Sequence, residues 1–167
     1  MTAMDALVRL CPPPVDPPPV VDWARTERAL GTALPADYER LVETYGDGIF
    51  DETIWLLVPC SSSDDRDLLA QTTERDAVLT GLWGTGEKPA GLTEVGARVL
   101  PWAFEEGTGA FLYWLARPGT HPDEWTVLLN EGAAPCGSTT TRGASPSWSQ
   151  CSRERRERTA SATSTTC

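Results

Sequence analysis

The stretch DWARTERALGTALPADYERLVETYGDGIFDETIWLLVP, residues 22–59, decides the fold. Asp22 is placed to accept from the free amides of a first helical turn. Trp23, Glu27 and Leu30 then share one face at i, i+4 and i+7, and Gly31 supplies the left-handed residue that ends the helix. Pro35 suits the first position of a second helix, with Asp37 and Glu39 near the positive end of its dipole. Leu34, Tyr38, Leu41, Val42 and Tyr45 form a buried stripe, and Gly46 stops it. Trp23 and Tyr38 are expected in the core. Ile54-Trp55-Leu56-Leu57-Val58, apolar throughout and ended by Pro59, predicts a strand buried on both faces and so central in its sheet.

Outward from this stretch the pattern continues. Ser63 or Asp64 is expected to cap a helix running to about Leu82, with Leu68, Leu69, Val78, Leu79 and Leu82 apolar and a polar interruption over 71–76. Residues 81–91 read as an exposed loop. Strands are expected over 98–104, 110–115 and 125–129, joined by hairpin loops at 105–109 and 117–123. Helices followed by a meander make an α+β plan with a largely antiparallel sheet. Upstream, a short helix over 5–10 gives way to CPPPVDPPPVV, where six prolines hold the backbone extended. That segment is expected to lie on the domain as a strap, with a Pro-rich ligand for an aromatic groove as the other reading.

The Trp-bearing helix, Leu30-Gly31-x-x-Leu34-Pro35-x-Asp37-Tyr38, the second helix closing in Tyr45-Gly46-x-Gly48, and VLPWAFEEGTGAFLYWL at 99–115 occur in an order that resembles the SMI1/KNR4 family, the SUKH superfamily. The resemblance covers residues 22–131, with 1–21 a Pro-rich lead-in and 132–167 a tail. It implies an α+β SUKH domain with an N-terminal helix pair, a sheet and a C-terminal closing helix. It further implies a binding module rather than an enzyme. Bacterial members of the family are largely immunity proteins that neutralise partner toxins, often nucleases or deaminases; eukaryotic members are interaction scaffolds.

Charge points the same way from a separate direction. Residues 22–131 carry 20 acidic and 8 basic side chains, a balance of −12, within a chain of net charge −10. Such a surface repels nucleic acid and anionic membranes and speeds encounter with basic proteins. The expected partner is therefore a basic toxin domain whose site the chain occludes, with no nucleic acid or membrane engaged, the chain itself being monomeric. The candidate partner-binding residues are Asp47, Asp51 and Glu52 after the second helix, Glu105 and Glu106 on the hairpin, and whichever of Trp83, Trp102 and Trp114 are exposed. No apolar run reaches membrane-spanning length and no signal pattern opens the chain, so the expected compartment is the cytoplasm.

Catalytic and metal chemistry find little support in the residues. The one histidine, His121, sits in a Gly-Thr-His-Pro turn with no nucleophile placed beside it. Glu105 and Glu106 are adjacent at a strand end and point apart. Asp64, Asp65 and Asp67 lack the glycine and spacing of a calcium loop. Five scattered cysteines give neither a disulfide framework nor a zinc site, so no cofactor and no metal are expected. The alternatives kept open are a general interaction scaffold, a hydrolase using Glu106 or His121, and a non-functional copy.

That last alternative comes from the tail. Residues 132–167 hold 14 Ser or Thr and three of the five cysteines, and of the large apolar and aromatic residues only Trp148. Such a composition cannot build the expected closing helix. Reading G- and C-rich codons for Ser145 to Glu154 from the third base gives AELVAVLAG, an apolar-periodic helix. Residues from about Ala133 onward thus read as a frameshift product, against the alternative of a natural disordered tail. Deleting 133–167 is expected to leave the melting temperature unchanged, and a one-nucleotide frame restoration to raise it, both measured by thermal denaturation; a large loss on deletion would show that the tail belongs to the fold.

Overall fold

Single side chains start the helices. The computed structural model describes residues 2–85, 88 and 90–130. Of these, 2–12 fall in one compact unit and 13–130 in a second. In the first, helix α1 (Ala3–Leu10) opens on a capping box in which Thr2 and Asp5 satisfy each other's amides at 2.7 and 3.2 Å. It begins two residues before the predicted helix.

In the second unit, Asp22 caps helix α2 (Trp23–Leu30), accepting from the Arg25 amide at 3.0 Å, and Gly31 ends it with φ +70°. Helix α3 (Ala36–Tyr45) starts one residue later than expected, because Pro35 is the cap position itself. Proline has no capping side chain, and Asp123 supplies the acceptor instead, 2.7 Å from the Ala36 amide. Gly46 ends α3 with φ +62°, and Pro18 packs so closely there that a Cβ would stand 2.9 Å from its ring. The Pro-rich strap therefore touches the domain at Pro18, while Val15 and Val20 are fully exposed.

Five strands form one antiparallel meander: β1 (Ile49–Phe50), β2 (Ile54–Leu56), β3 (Arg98–Glu105), β4 (Phe111–Ala116) and β5 (Thr126–Asn130), in that spatial order. The α+β class and the antiparallel sheet thus hold. Strand β2 is not central, contrary to expectation; β3 is. The apolar run 54–58 misleads because only Leu56, Leu57 and Val58 are buried, and the ladder ends at Leu56. Leu57 donates to the Trp102 carbonyl at 2.9 Å, and Val58 turns away into a parallel bridge with Asp67. Within β3 the register shifts between Pro101 and Ala103, which makes Trp102 a bulge. A proline in a central strand is thereby tolerated, its missing donor falling beside the irregularity.

Helix α4 (Leu68–Thr85) is capped by Asp67, which accepts from Ala70 at 2.8 Å; neither Ser63 nor Asp64 is the cap. The polar stretch 71–76 does not break it, since Gln71 and Thr72 are buried with their donors satisfied. Gln71 reaches the Asp64 carbonyl and Glu74 at 3.3 and 3.0 Å, and Thr72 the Leu68 carbonyl at 2.7 Å. The predicted loop 81–91 instead holds the end of α4 and part of a 3₁₀ turn (Ala90–Leu92) that buries Leu92.

Strand alternation divides the core. On one face Tyr38 meets Trp114 edge-on with centroids 4.9 Å apart, and Trp102 stacks on Trp114 at 5.7 Å. Trp23 joins at 6.0 Å from Tyr38 but is half-buried, its indole N–H donating to Glu43 at 3.0 Å. On the other face Leu79 and Leu92 pack on Val99, Tyr113 and Leu115. All five residues of the predicted α3 stripe are buried. Expectations for residues 131–167, including the lost closing helix and the frameshift, lie outside the described residues.

Tyr38 donates its hydroxyl to the Leu57 carbonyl, and burial, followed by the Asp67 charge, pushes its pKa far above the ordinary phenol value. The folded state thus holds the proton more tightly than the unfolded chain, so this stabilisation is complete below about pH 10 and lost as pH rises beyond it. Urea titrations should show unfolding free energy falling above about pH 10, with that component absent in Tyr38→Phe. Tyr38→Ala or Trp102→Ala should each cost about 3–5 kcal/mol.

Candidate functional site

Two hairpin tips, about fifty residues apart in sequence, meet at one end of the sheet. The β1–β2 tip consists of Asp51, Glu52 and Thr53, the β3–β4 tip of residues 105–110. The Glu106 amide donates to the Thr53 carbonyl at 2.9 Å, which joins them. Glu106 also accepts from the Trp55 indole N–H at 3.0 Å, whereas Glu105 takes the Thr108 hydroxyl at 2.8 Å. The adjacent glutamates therefore engage different partners. Asp51, Glu52 and Glu106 are exposed and Glu105 half-buried.

The β1–β2 turn is locally expensive. Asp51 and Glu52 have φ of +51° and +58°, the left-handed region where Asn-Gly is the low-cost pair. Two carboxylates are thereby held outward at the tip, against the conformational preference of Glu52.

Asp47 behaves differently. It accepts from Ser61 at 2.8 Å and lies 3.3 Å from Arg66, so it latches the α3–β1 connection to the segment after β2. Trp102 and Trp114 are corrections: the aromatic stack against Tyr38 buries both, at 3% and 6% exposure, and neither can anchor a partner. Trp83 lies in α4, half-buried against the Leu79–Val99 cluster. It is at the Val99 end of β3, about 20 Å along the strand from the tips at 3.3 Å per residue. The candidates that converge are Asp51, Glu52, Glu105 and Glu106.

Sequence reasoning missed the aromatic companion of these carboxylates. Trp55 is half-buried on the rim of a groove of about 450 Å³ that also contains Phe104, Phe111, Arg66, Arg75 and Glu74. Arg66 lies 4.7 Å over the Trp55 ring and Arg75 4.6 Å over Phe111. Trp55 pairs with Phe104 on the groove face, whereas Leu56, paired with Ala103, is buried on the other. In a run that is apolar throughout, no alternation marks which residue borders the groove.

A second concentration of carboxylates lies along α2 and α3. Burial raises the pKa of Glu39, and the charges of Glu27, Glu43 and Asp123 raise it further. These neighbours have structural duties: Glu27 accepts from the Leu34 amide at 2.9 Å, Glu43 from Trp23 and Asp123 from Ala36. At the hairpin end Asp51 and Glu52 are exposed and, among the described residues, carry no side-chain hydrogen bond or ion pair.

His121 is exposed, 3.6 Å from Asp123 and in the predicted turn. Among the described residues no group of three or more His, Cys, Asp or Glu could hold a metal ion, and no helix is long and apolar enough to cross a membrane. Compared with protein-family models, curated proteins and solved structures, the chain finds no match.

Replacing the turn by its low-cost pair in Asp51→Asn with Glu52→Gly should raise stability by about 1 kcal/mol in urea denaturation. An unchanged or lowered stability would show that the two carboxylates are not held against strain.

Proposed function

We propose that this chain is a protein-binding module of the SMI1/KNR4 (SUKH) kind, an immunity-type protein that neutralises a partner toxin of nuclease or deaminase class. The supporting observation is the joining of two acidic hairpin tips beside the half-buried Trp55. A site evolved to hold nucleic acid is basic and concave. A rigid acidic projection with an aromatic at its base is complementary to it in charge and shape.

The mechanism is stoichiometric occlusion. The −12 balance of residues 22–131 draws the partner in, and the tips set the orientation. Binding then covers the toxin's catalytic surface without chemistry by this chain, so no cofactor takes part. The α+β meander with its two leading helices agrees with the SUKH plan, and the Leu100-Pro101-Trp102-Ala103 segment acquires a structural reason in the β3 bulge. The chain acts as a monomer in the cytoplasm, where the toxin would otherwise reach its substrate.

Combining Asp51→Lys, Glu52→Lys and Glu106→Lys should lower the association rate with a basic toxin domain by about tenfold or more at low salt, and by much less above about 0.5 M. Stopped-flow or biosensor kinetics across a salt series decide this. Salt-independent association, or tighter binding to DNA than to a basic protein, would exclude the reading.

A further inference from the structure

The groove beside the tips has its own ligand chemistry. At about 450 Å³ it has room for a whole side chain and lies within the range of small-ligand sites. Two rings already carry guanidinium groups from this chain, Arg66 on Trp55 and Arg75 on Phe111. Each of those arginines has its own carboxylate nearby, Asp47 at 3.3 Å and Glu74 in contact. A guanidinium over a ring with a carboxylate beside it is thus the arrangement this surface stabilises, twice.

A third ring is open. Phe104 lies 5.6 Å from Phe111, centroid to centroid, and among the described residues no cation is seated on it. Carboxylate valence is open as well. One Glu106 oxygen accepts from Trp55; among the described residues the other has no hydrogen-bond or ion-pair partner, and neither has either oxygen of Asp65. Three acids line the groove against two arginines, with Asp51 and Glu52 on the neighbouring tip, so the remaining field favours a cation.

We propose that the groove is a receptor for a guanidinium, the side chain of an arginine on the basic partner, laid on Phe104 with its N–H donors on Glu106 and Asp65. This rests on the protein-binding reading and names its anchor. Arg66 and Arg75 stabilise the floor in the free protein and repel a second cation weakly, so the arginine that binds must satisfy the open carboxylates. That requirement selects the forked geometry of arginine over the point charge of lysine.

The test is an NMR titration of the full chain with N-acetyl-arginine amide, N-acetyl-lysine amide and N-acetyl-glutamate amide at constant ionic strength, following the Trp55 indole N–H and the amides of Phe104 and Phe111. The arginine probe should give a saturable shift with Kd of roughly 10 mM, and the lysine probe one about threefold weaker. The glutamate probe should give none. Glu106→Gln should weaken the arginine response about fivefold. Preference for the glutamate probe would make this an anion site and overturn the proposal. So would an arginine response that is absent or indifferent to Glu106→Gln in a variant whose melting temperature is unchanged. A basic toxin domain that binds while the arginine probe does not would refute the groove alone; an arginine probe that binds when no basic protein does would refute the wider reading alone.

Discussion

The contact of Tyr38 with Trp114 holds the architecture together. It ties α3 to β4 by an edge-to-face ring pair, and the same side chain ties α3 to the end of β2 through the Leu57 carbonyl. Trp102 lies two residues beyond Leu100, which pairs with Trp114, so strand alternation puts it on the same face and lets it stack there, while the bulge that follows turns Phe104 to the opposite face beside Phe111. Leu57 in turn donates to the Trp102 carbonyl, so β2, β3, β4 and α3 are fixed relative to one another by three aromatic residues and two hydrogen bonds. Ring pairs of this type contribute about 0.5–1.5 kcal/mol each beyond their burial.

The position of the hairpin tips follows from that junction. With β2 and β3 held in register, the turn after β1 and the turn after β3 emerge at the same end. The Glu106–Thr53 and Glu106–Trp55 bonds then fasten them together. The acidic projection is therefore an outgrowth of the rigid core rather than a pair of independent loops, and this preorganisation reduces the entropy lost on binding.

Much of the core was legible in the amino-acid pattern. The α3 stripe from Leu34 to Tyr45, the capping by Asp22, the stop at Gly31 and the β3–β4 hairpin all follow from local rules, because propensity, periodicity and burial agree there. Difficulty arose where tertiary contacts override local signals. Asp123 caps α3 from 87 residues away, and Gln71 and Thr72 satisfy themselves inside a helix whose apolar period they interrupt. The candidate site was half legible: charge and loop position identified Asp51, Glu52, Glu105 and Glu106, but aromatic count alone could not separate Trp102 and Trp114, which build the core, from Trp55, which borders the groove. That distinction depends on strand pairing and on what packs against each face of the sheet, neither of which a single strand's pattern contains.

The central claim is that the acidic hairpin end meets a basic protein partner. Hydrogen–deuterium exchange of the chain, free and in complex with a basic toxin domain, tests it most directly. The account predicts slowed exchange confined to residues 50–56, 63–75 and 104–111, the two tips and the groove wall between them. Protection centred on α2 and α3 instead, or no protection at the tips in a saturated complex, would contradict it.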